Sequence, residues 1–196
     1  MMKFIRAIYD WTLRLAAHRR ATWGLAGISF IESSVFPIPP DVVLIPMCLA
    51  NRSRAFFYAT ICTAASVLGG VFGYAIGFFL FETLGRAILE FYGMFEKFDL
   101  FQKRYNDWGG WIVFGAGLTP FPYKVITIAS GVTKMNLLVF IVASVIGRAA
   151  RFFLVAALIW KFGAPIKTFI EKYMGILTIL FFALLIGGFI ALKYVT

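Results

Sequence analysis

Histidine occurs once in this chain, as His18 beside Arg19 and Arg20. Zinc chemistry and imidazole general acid–base catalysis both lose their usual residue. Cysteine is nearly as scarce. Cys48 and Cys62 lie in apolar runs, neither belongs to a C-x-x-C pair or a metal-ligand spacing, and both read as small packing residues. No Gly-x-Ser-x-Gly occurs, so a lipid hydrolase built on a nucleophile elbow has no starting point. Acid is rare too: nine Asp and Glu stand against 19 Lys and Arg, a formal net charge of +10. In a polar chain that excess would point to nucleic acid. Here the bases flank apolar runs, which excludes nucleic acid and favours positive-inside anchors and anionic lipid headgroups. No metal and no cofactor is expected.

Apolar sequence dominates instead. Of 196 residues, 61% are hydrophobic, and the mean hydropathy is +0.87. A soluble domain of this size would not carry so much, so the expectation is an all-α polytopic membrane protein. Its focus is Glu32-Ser-Ser-Val-Phe-Pro37-Ile-Pro39-Pro40-Asp41, two carboxylates and three prolines inside a run otherwise apolar from Ala21 to Ala50. A carboxylate at membrane depth costs roughly 2.5–3.5 kcal/mol on insertion scales, so it is generally there for a reason. The prolines cannot continue a helix. The run reads as a broken, re-entrant segment whose irregular backbone must be surrounded by protein or a water-filled cavity.

Taken in order, residues 1–20 place Phe4, Ile8, Trp11 and Leu15 on one stripe with a basic opposite face, an amphipathic interfacial helix. Residues 21–51 form the first re-entrant hairpin. Residues 55–81, 27 without a charge, form a transmembrane helix whose Gly69, Gly73 and Gly77 repeat every four residues and bare one face for close packing. Residues 82–108 form an amphipathic helix bent at Gly93. A second re-entrant hairpin over 109–133 breaks at Pro120 and Pro122, beside Lys124. A second transmembrane helix over 136–160 carries Arg148 and Arg151 mid-span, and a C-terminal transmembrane helix covers 173–193. The two halves share an order of elements: interfacial helix, half-helix, Pro-x-Pro break, returning half-helix, Gly-containing crossing. Paired Pro-interrupted segments in corresponding positions are the sequence pointer to a transporter site between inverted repeats.

Over roughly residues 20–165 the chain resembles the DedA (VTT-domain) membrane proteins, most closely the YqaA-like branch. The matching residues are Phe30-Ile-Glu32, Phe36-Pro-Ile-Pro-Pro-Asp41, Gly69-Gly-Val-Phe-Gly-Tyr-Ala-Ile-Gly77, the Pro120 loop with Gly131, and Gly147-Arg148. The resemblance implies two inversely related re-entrant hairpins and a role in moving lipids between leaflets. It also implies an association with undecaprenyl phosphate recycling, phospholipid translocation and the proton-motive force. The better-known pattern has arginines flanking the loop proline; this chain has Gly117 and Tyr123 there, with Lys124 one residue on.

The expected function is therefore lipid transport, flippase- or scramblase-like and not enzymatic, in the bacterial inner membrane. Lys124, Arg148 and Arg151 would bind the phosphate of an anionic lipid, since arginine forks match phosphate oxygens. Glu32 and Asp41 would take and release protons. Protons and membrane lipids are the expected partners, and homo-oligomerisation is left open. Two alternatives stand beside this: a membrane scaffold in which the acids and arginines only neutralise one another, and an intramembrane lipid-phosphate enzyme, which lacks a nucleophile–base pair. With the N-terminus inside, Lys and Arg divide ten on the cytoplasmic side against six opposite.

Overall fold

The structure, a computed structural model, describes residues 21–35, 39–119 and 121–163. The expected interfacial helix over 1–20, the C-terminal helix over 173–193, and Pro37 and Pro120 lie outside the described residues. Among the described residues every regular element is helical. They are α1 (Ala21–Ser34), α2 (Asp41–Ala50), α3 (Ala55–Leu80), α4 (Arg86–Tyr92), α5 (Phe95–Leu118), α6 (Tyr123–Val132) and α7 (Leu137–Phe162). A 3-10 turn, Arg52–Arg54, precedes α3, and a π-helical turn, Phe81–Gly85, follows it.

Local chemistry sets the ends. Pro39 and Pro40 stand immediately before α2, where a proline gives up only an N–H that the first turn leaves unpaired anyway. The Pro40 carbonyl accepts from Val43 N at 3.0 Å and Leu44 N at 2.9 Å. α4 stops at Gly93, whose φ of 61° is left-handed; Met94 N then reaches Leu89 O at 3.0 Å, closing a Schellman-type end. The stretch expected as one bent helix is thus two helices. Beyond Gly93, α5 runs unbroken through Trp108-Gly-Gly-Trp111, because Gly109 sits against the Met135 side chain, which a Cβ would meet at 2.9 Å. α7 begins at Asn136, whose side chain accepts from Leu138 N and Val139 N.

α3 and α7 are long and apolar enough to cross a membrane. Their 26 residues each reach about 39 Å at about 1.5 Å per residue, against a hydrocarbon core of about 30 Å. α1, with 14 residues, and α2 and α6, with 10 each, reach about 15–21 Å and cannot cross alone. Their packing is reciprocal. Each leading helix lies on the long helix of its own half, α1 on α3 and α5 on α7. Each returning helix reaches the long helix of the other half, α2 on α7 and α6 on α3.

Glycines set these approaches. A Cβ at Gly69 would strike the Phe30 carbonyl of α1, and one at Gly77 the Ile128 carbonyl of α6. A Cβ at Gly147 on α7 would lie 2.7 Å from the Phe114 carbonyl of α5. Both halves therefore close a leading helix on a long helix by a glycine facing a phenylalanine carbonyl. Two apolar clusters result. One joins Leu25, Leu44, Met47, Ala59, Phe152 and Ile159; the other joins Tyr105, Val113, Tyr123, Met135 and Phe140.

Candidate functional site

Between those clusters lies a polar layer that an apolar helix bundle does not need. On α1, Ser29 and Ser33 are one turn apart and fully buried; Ser66 on α3, Thr127 on α6 and Ser144 on α7 are equally buried. Arg148, 2% exposed, is the largest fully buried side chain of the core.

Glu32 and Ser33 come from the last turn of α1, which ends before the first break. Arg148 comes from the middle of α7, with Gly147 beside it so that α5 can approach. The Arg148 Nη2 donates to Glu32 Oε2 at 2.7 Å and to Ser33 Oγ at 3.2 Å. Ser33 Oγ also lies 3.0 Å from Glu32 Oε2 and 2.7 Å from Ser66 Oγ, so α1, α3 and α7 share one hydrogen-bonded knot. The guanidinium lies 3.9 Å from the centre of the Tyr123 ring. Tyr123 in turn donates its hydroxyl to Ser144 Oγ.

One turn further along α7, Arg151 Nη2 pairs with Asp41 Oδ2, and Arg151 Nη1 donates to Thr119 O at 2.6 Å. Asp41 is the first residue of α2 and Thr119 follows the last of α5. A carboxylate at a helix N-terminus and a cation at a C-terminus both oppose the helix dipole favourably. Arg151 thereby connects the acid of the first break to the backbone of the second. Lys124, at the start of α6, donates to Val35 O at 3.1 Å, just past the end of α1, and Thr127 Oγ1 lies 3.1 Å from Ser33 O. The two breaks are thus stitched together directly as well as through α7.

Of the residues singled out from the sequence, Glu32 meets Arg148 and Asp41 meets Arg151. Lys124 does not join the arginines by any direct bond; it holds the end of α1. Gly69, Gly73 and Gly77 form the α3 face that receives α1 and α6, with Gly73 against Thr127. Pro39 and Pro40 lead into α2, and Pro122 stands directly before α6. Gly117, where the resemblance has an arginine, packs on the α7 backbone; a Cβ there would meet Arg148 N at 3.3 Å. The sequence reading missed Ser33, Ser66, Thr127 and Tyr123. A signal existed: hydroxyls at Ser29 and Ser33 fall one helical turn apart, and Ser66 lies in a span without charge.

Among the described residues, two buried side-chain polar atoms have no protein partner, Asp41 Oδ1 and Arg148 Nε. One pair thus retains a carboxylate oxygen and the other a guanidinium N–H without a protein partner. The two arginines face two acids, Glu32 and Asp41, so the paired charges balance, while Lys124 adds a positive charge at the neighbouring break, where it is bonded to Val35 O. Among the described residues no group of three or more His, Cys, Asp or Glu is arranged to hold a metal.

The sequence model of the VTT domain matches residues 35–161. An uncharacterized protein of Haemophilus influenzae is 40% identical over 174 residues, covering 87% of this chain and 90% of its own. An uncharacterized protein of Histophilus somni is also 40% identical over 174 residues, with 87% and 91% covered. The undecaprenyl phosphate transporter A of Staphylococcus aureus is 30% identical over 147 residues, 69% of this chain and 67% of the transporter. No solved structure matches at a significant level.

Proposed function

Because the chain belongs to the VTT-domain (DedA) family, we propose that it carries an anionic, phosphate-bearing lipid, such as undecaprenyl phosphate or a phospholipid, between the leaflets of the bacterial inner membrane. The observation that carries this reading is the pair of arginine–carboxylate contacts at the breaks, Arg148 with Glu32 and Arg151 with Asp41. In this reading a lipid phosphate replaces a carboxylate on Arg151. Guanidinium forks suit phosphate, and Lys124 at the neighbouring break adds a positive charge that favours an anion. In this proposal the displaced Asp41 carries the coupled proton. Return of that proton restores the pair and releases the phosphate, so proton flow and lipid movement are linked.

The same reading includes the membrane arrangement. Residues 21–51 and 109–133 are re-entrant hairpins related by inversion, and 55–81 and 136–160 cross. The chain spans 21–165 as one multi-pass domain. Arg52 packs against Gly163 at one end of the α3–α7 pair, while Glu82 meets Lys134 at the other. This supports assigning Arg52, Arg54 and Lys161 to the cytoplasmic side.

Leaflet exchange in proteoliposomes tests the proposal. Labelled polyprenyl phosphate and labelled phospholipid are followed with and without a pH gradient. Exchange of one lipid that responds to the gradient is expected. Exchange insensitive to the gradient would leave a scramblase with structural acids. A second reading, a scaffold without transport, is favoured by the mutual neutralisation of the two acids and two arginines; absence of exchange by folded protein would select it. Release of free phosphate from either lipid would instead indicate an enzyme.

A further inference from the structure

Far from the arginine pairs, a pocket of about 260 Å³ opens where α3 ends its apolar run. Arg86 and Lys134 line it, together with Asp99, Gln102, Phe81 and Phe98. Glu82 stands behind the cations, paired with Lys134 and 3.4 Å from Arg86. Two bases thus meet two acids, Glu82 and Asp99, and the local charge is balanced. Phe81 and Phe98 stack at 4.8 Å between ring centres. Lys134 Nζ lies within 5.9 Å of the Phe81 ring.

Lys134 is placed there against the preference of its backbone. Its φ of 51° is the left-handed conformation that favours glycine. The connection carrying it is tied down on every side. Thr133 O accepts from Gln102 Nε2 at 2.9 Å and Asn106 Nδ2 at 3.0 Å, and Tyr74 donates to Met135 O at 2.6 Å. Glycine would suit the backbone better, so the gain from a lysine lies in its side chain. With Nε2 engaged, Gln102 has its carboxamide oxygen as an acceptor.

We propose that this pocket binds the phosphoammonium headgroup of a zwitterionic lipid. Its phosphate faces Arg86 and Lys134; its ammonium faces Asp99, Gln102 and the stacked Phe81 and Phe98 rings. It differs from the arginine site in that its lining holds an acid, Asp99, outside the ion pairs that Arg86 and Lys134 make with Glu82. Aromatic faces attract ammonium groups, and lysine and arginine attract phosphate. The volume falls below the roughly 300–1,000 Å³ of pockets for drug-sized ligands, so it accommodates a headgroup and leaves acyl chains in the bilayer. This site stands independently of transport.

The test is binding to the purified full-length protein in maltoside micelles, read by calorimetry. The probes are dihexanoylphosphatidylethanolamine, dihexanoylphosphatidylglycerol and glycerophosphoethanolamine. Wild type is expected to prefer the ethanolamine lipid over the glycerol lipid by about tenfold, the order of one charge-assisted hydrogen bond. Asp99→Asn abolishes the preference. Lys134→Gly, which relieves the backbone and so protects the fold, weakens both lipids. Binding of glycerophosphoethanolamine at similar strength assigns the site to the headgroup alone; its failure beside a binding ethanolamine lipid assigns it to the membrane-borne form. Equal affinity for the two lipids in wild type, or a preference that survives in Asp99→Asn, overturns the proposal.

Discussion

The Arg148 guanidinium lies 3.9 Å from the centre of the Tyr123 ring and 5.7 Å from that of Phe152, while its Nη2 meets Glu32. That relationship accounts for a cation only 2% exposed in the middle of an apolar helix. The ring supplies attraction without an added negative charge, worth about 2 kcal/mol where water is excluded.

Two substitutions at Tyr123 separate its contributions. Tyr123→Phe keeps the ring under Arg148 and removes only the bond to Ser144, costing about 1 kcal/mol for a buried hydrogen bond. Tyr123→Leu removes the ring as well and is expected to cost at least about 2 kcal/mol more. Thermal unfolding of the detergent-solubilised protein measures both. An equal loss in Tyr123→Phe and Tyr123→Leu would show that the hydroxyl, not the ring, supports Arg148.

Glu32 and Arg148 are predicted to be strongly coupled. Removing either alone strands its partner in the core, a loss of about 3–5 kcal/mol for a buried pair. The double variant Glu32→Gln with Arg148→Gln strands neither and should recover much of that stability. Stability of the two single variants and the double variant closes the cycle. Additive losses would mean that the 2.7 Å contact carries no coupling.

Much of this architecture was legible from periodicity and proline. An uncharged run long enough to cross predicted α3, a similar apolar run interrupted by Arg148 and Arg151 predicted α7, and prolines marked both breaks, because each rests on a one-dimensional property of the chain. The position of Gly93 was legible, but its left-handed φ was not; a glycine tolerated in a helix and one ending it look alike in sequence. At the site, the charged residues stood out because each is costly in a membrane. Their pairing did not, since Glu32 and Arg148 are 116 positions apart and only the packing of α1 on α3 and of α3 on α7 brings them together. Ser33, Ser66 and Thr127 were missed because hydroxyls cost little in a helix, where they bond to the preceding turn, as Thr63 does to Ala59 O at 2.8 Å. The bond from Lys124 to Val35 O at the end of α1 was not legible either, because charge alone does not reveal a backbone partner 89 positions away.

Glycine substitutions test the reciprocal packing. In an exposed helix Gly→Ala gains up to about 1 kcal/mol from propensity. At Gly115, where a Cβ meets nothing within 4 Å, that gain is expected. At Gly131 the new methyl would strike the Tyr74 carbonyl, and at Gly147 it would lie 2.7 Å from the Phe114 carbonyl. Overpacking of about 1–3 kcal/mol then outweighs the gain. Unfolding midpoints should therefore rise for Gly115→Ala and fall for Gly131→Ala and Gly147→Ala. A neutral Gly131→Ala would contradict the close approach of α6 to α3.

The two arginines are expected to differ in kind. Arg148 is enclosed by Tyr123, Ser33 and Glu32, whereas Arg151 has a side chain 16% exposed and a partner, Asp41, with one oxygen unpartnered. On the proposed function, Arg151 is the guanidinium that takes the lipid phosphate, and Arg148 the fixed anchor. Replacement by lysine keeps the charge and removes the fork. Arg148→Lys should lower stability, because an ammonium cannot serve Glu32 and Ser33 while lying flat on the ring. Arg151→Lys should leave stability within about 1 kcal/mol, the scale of a partly exposed pair, while lipid-phosphate exchange falls by about tenfold or more, the order of one bidentate contact. Exchange assays and unfolding run on both variants decide the matter. If Arg151→Lys exchanges lipid at the wild-type rate, the phosphate does not depend on that fork, and the Asp41–Arg151 pair is a tie between the breaks rather than a place where cargo and carboxylate compete.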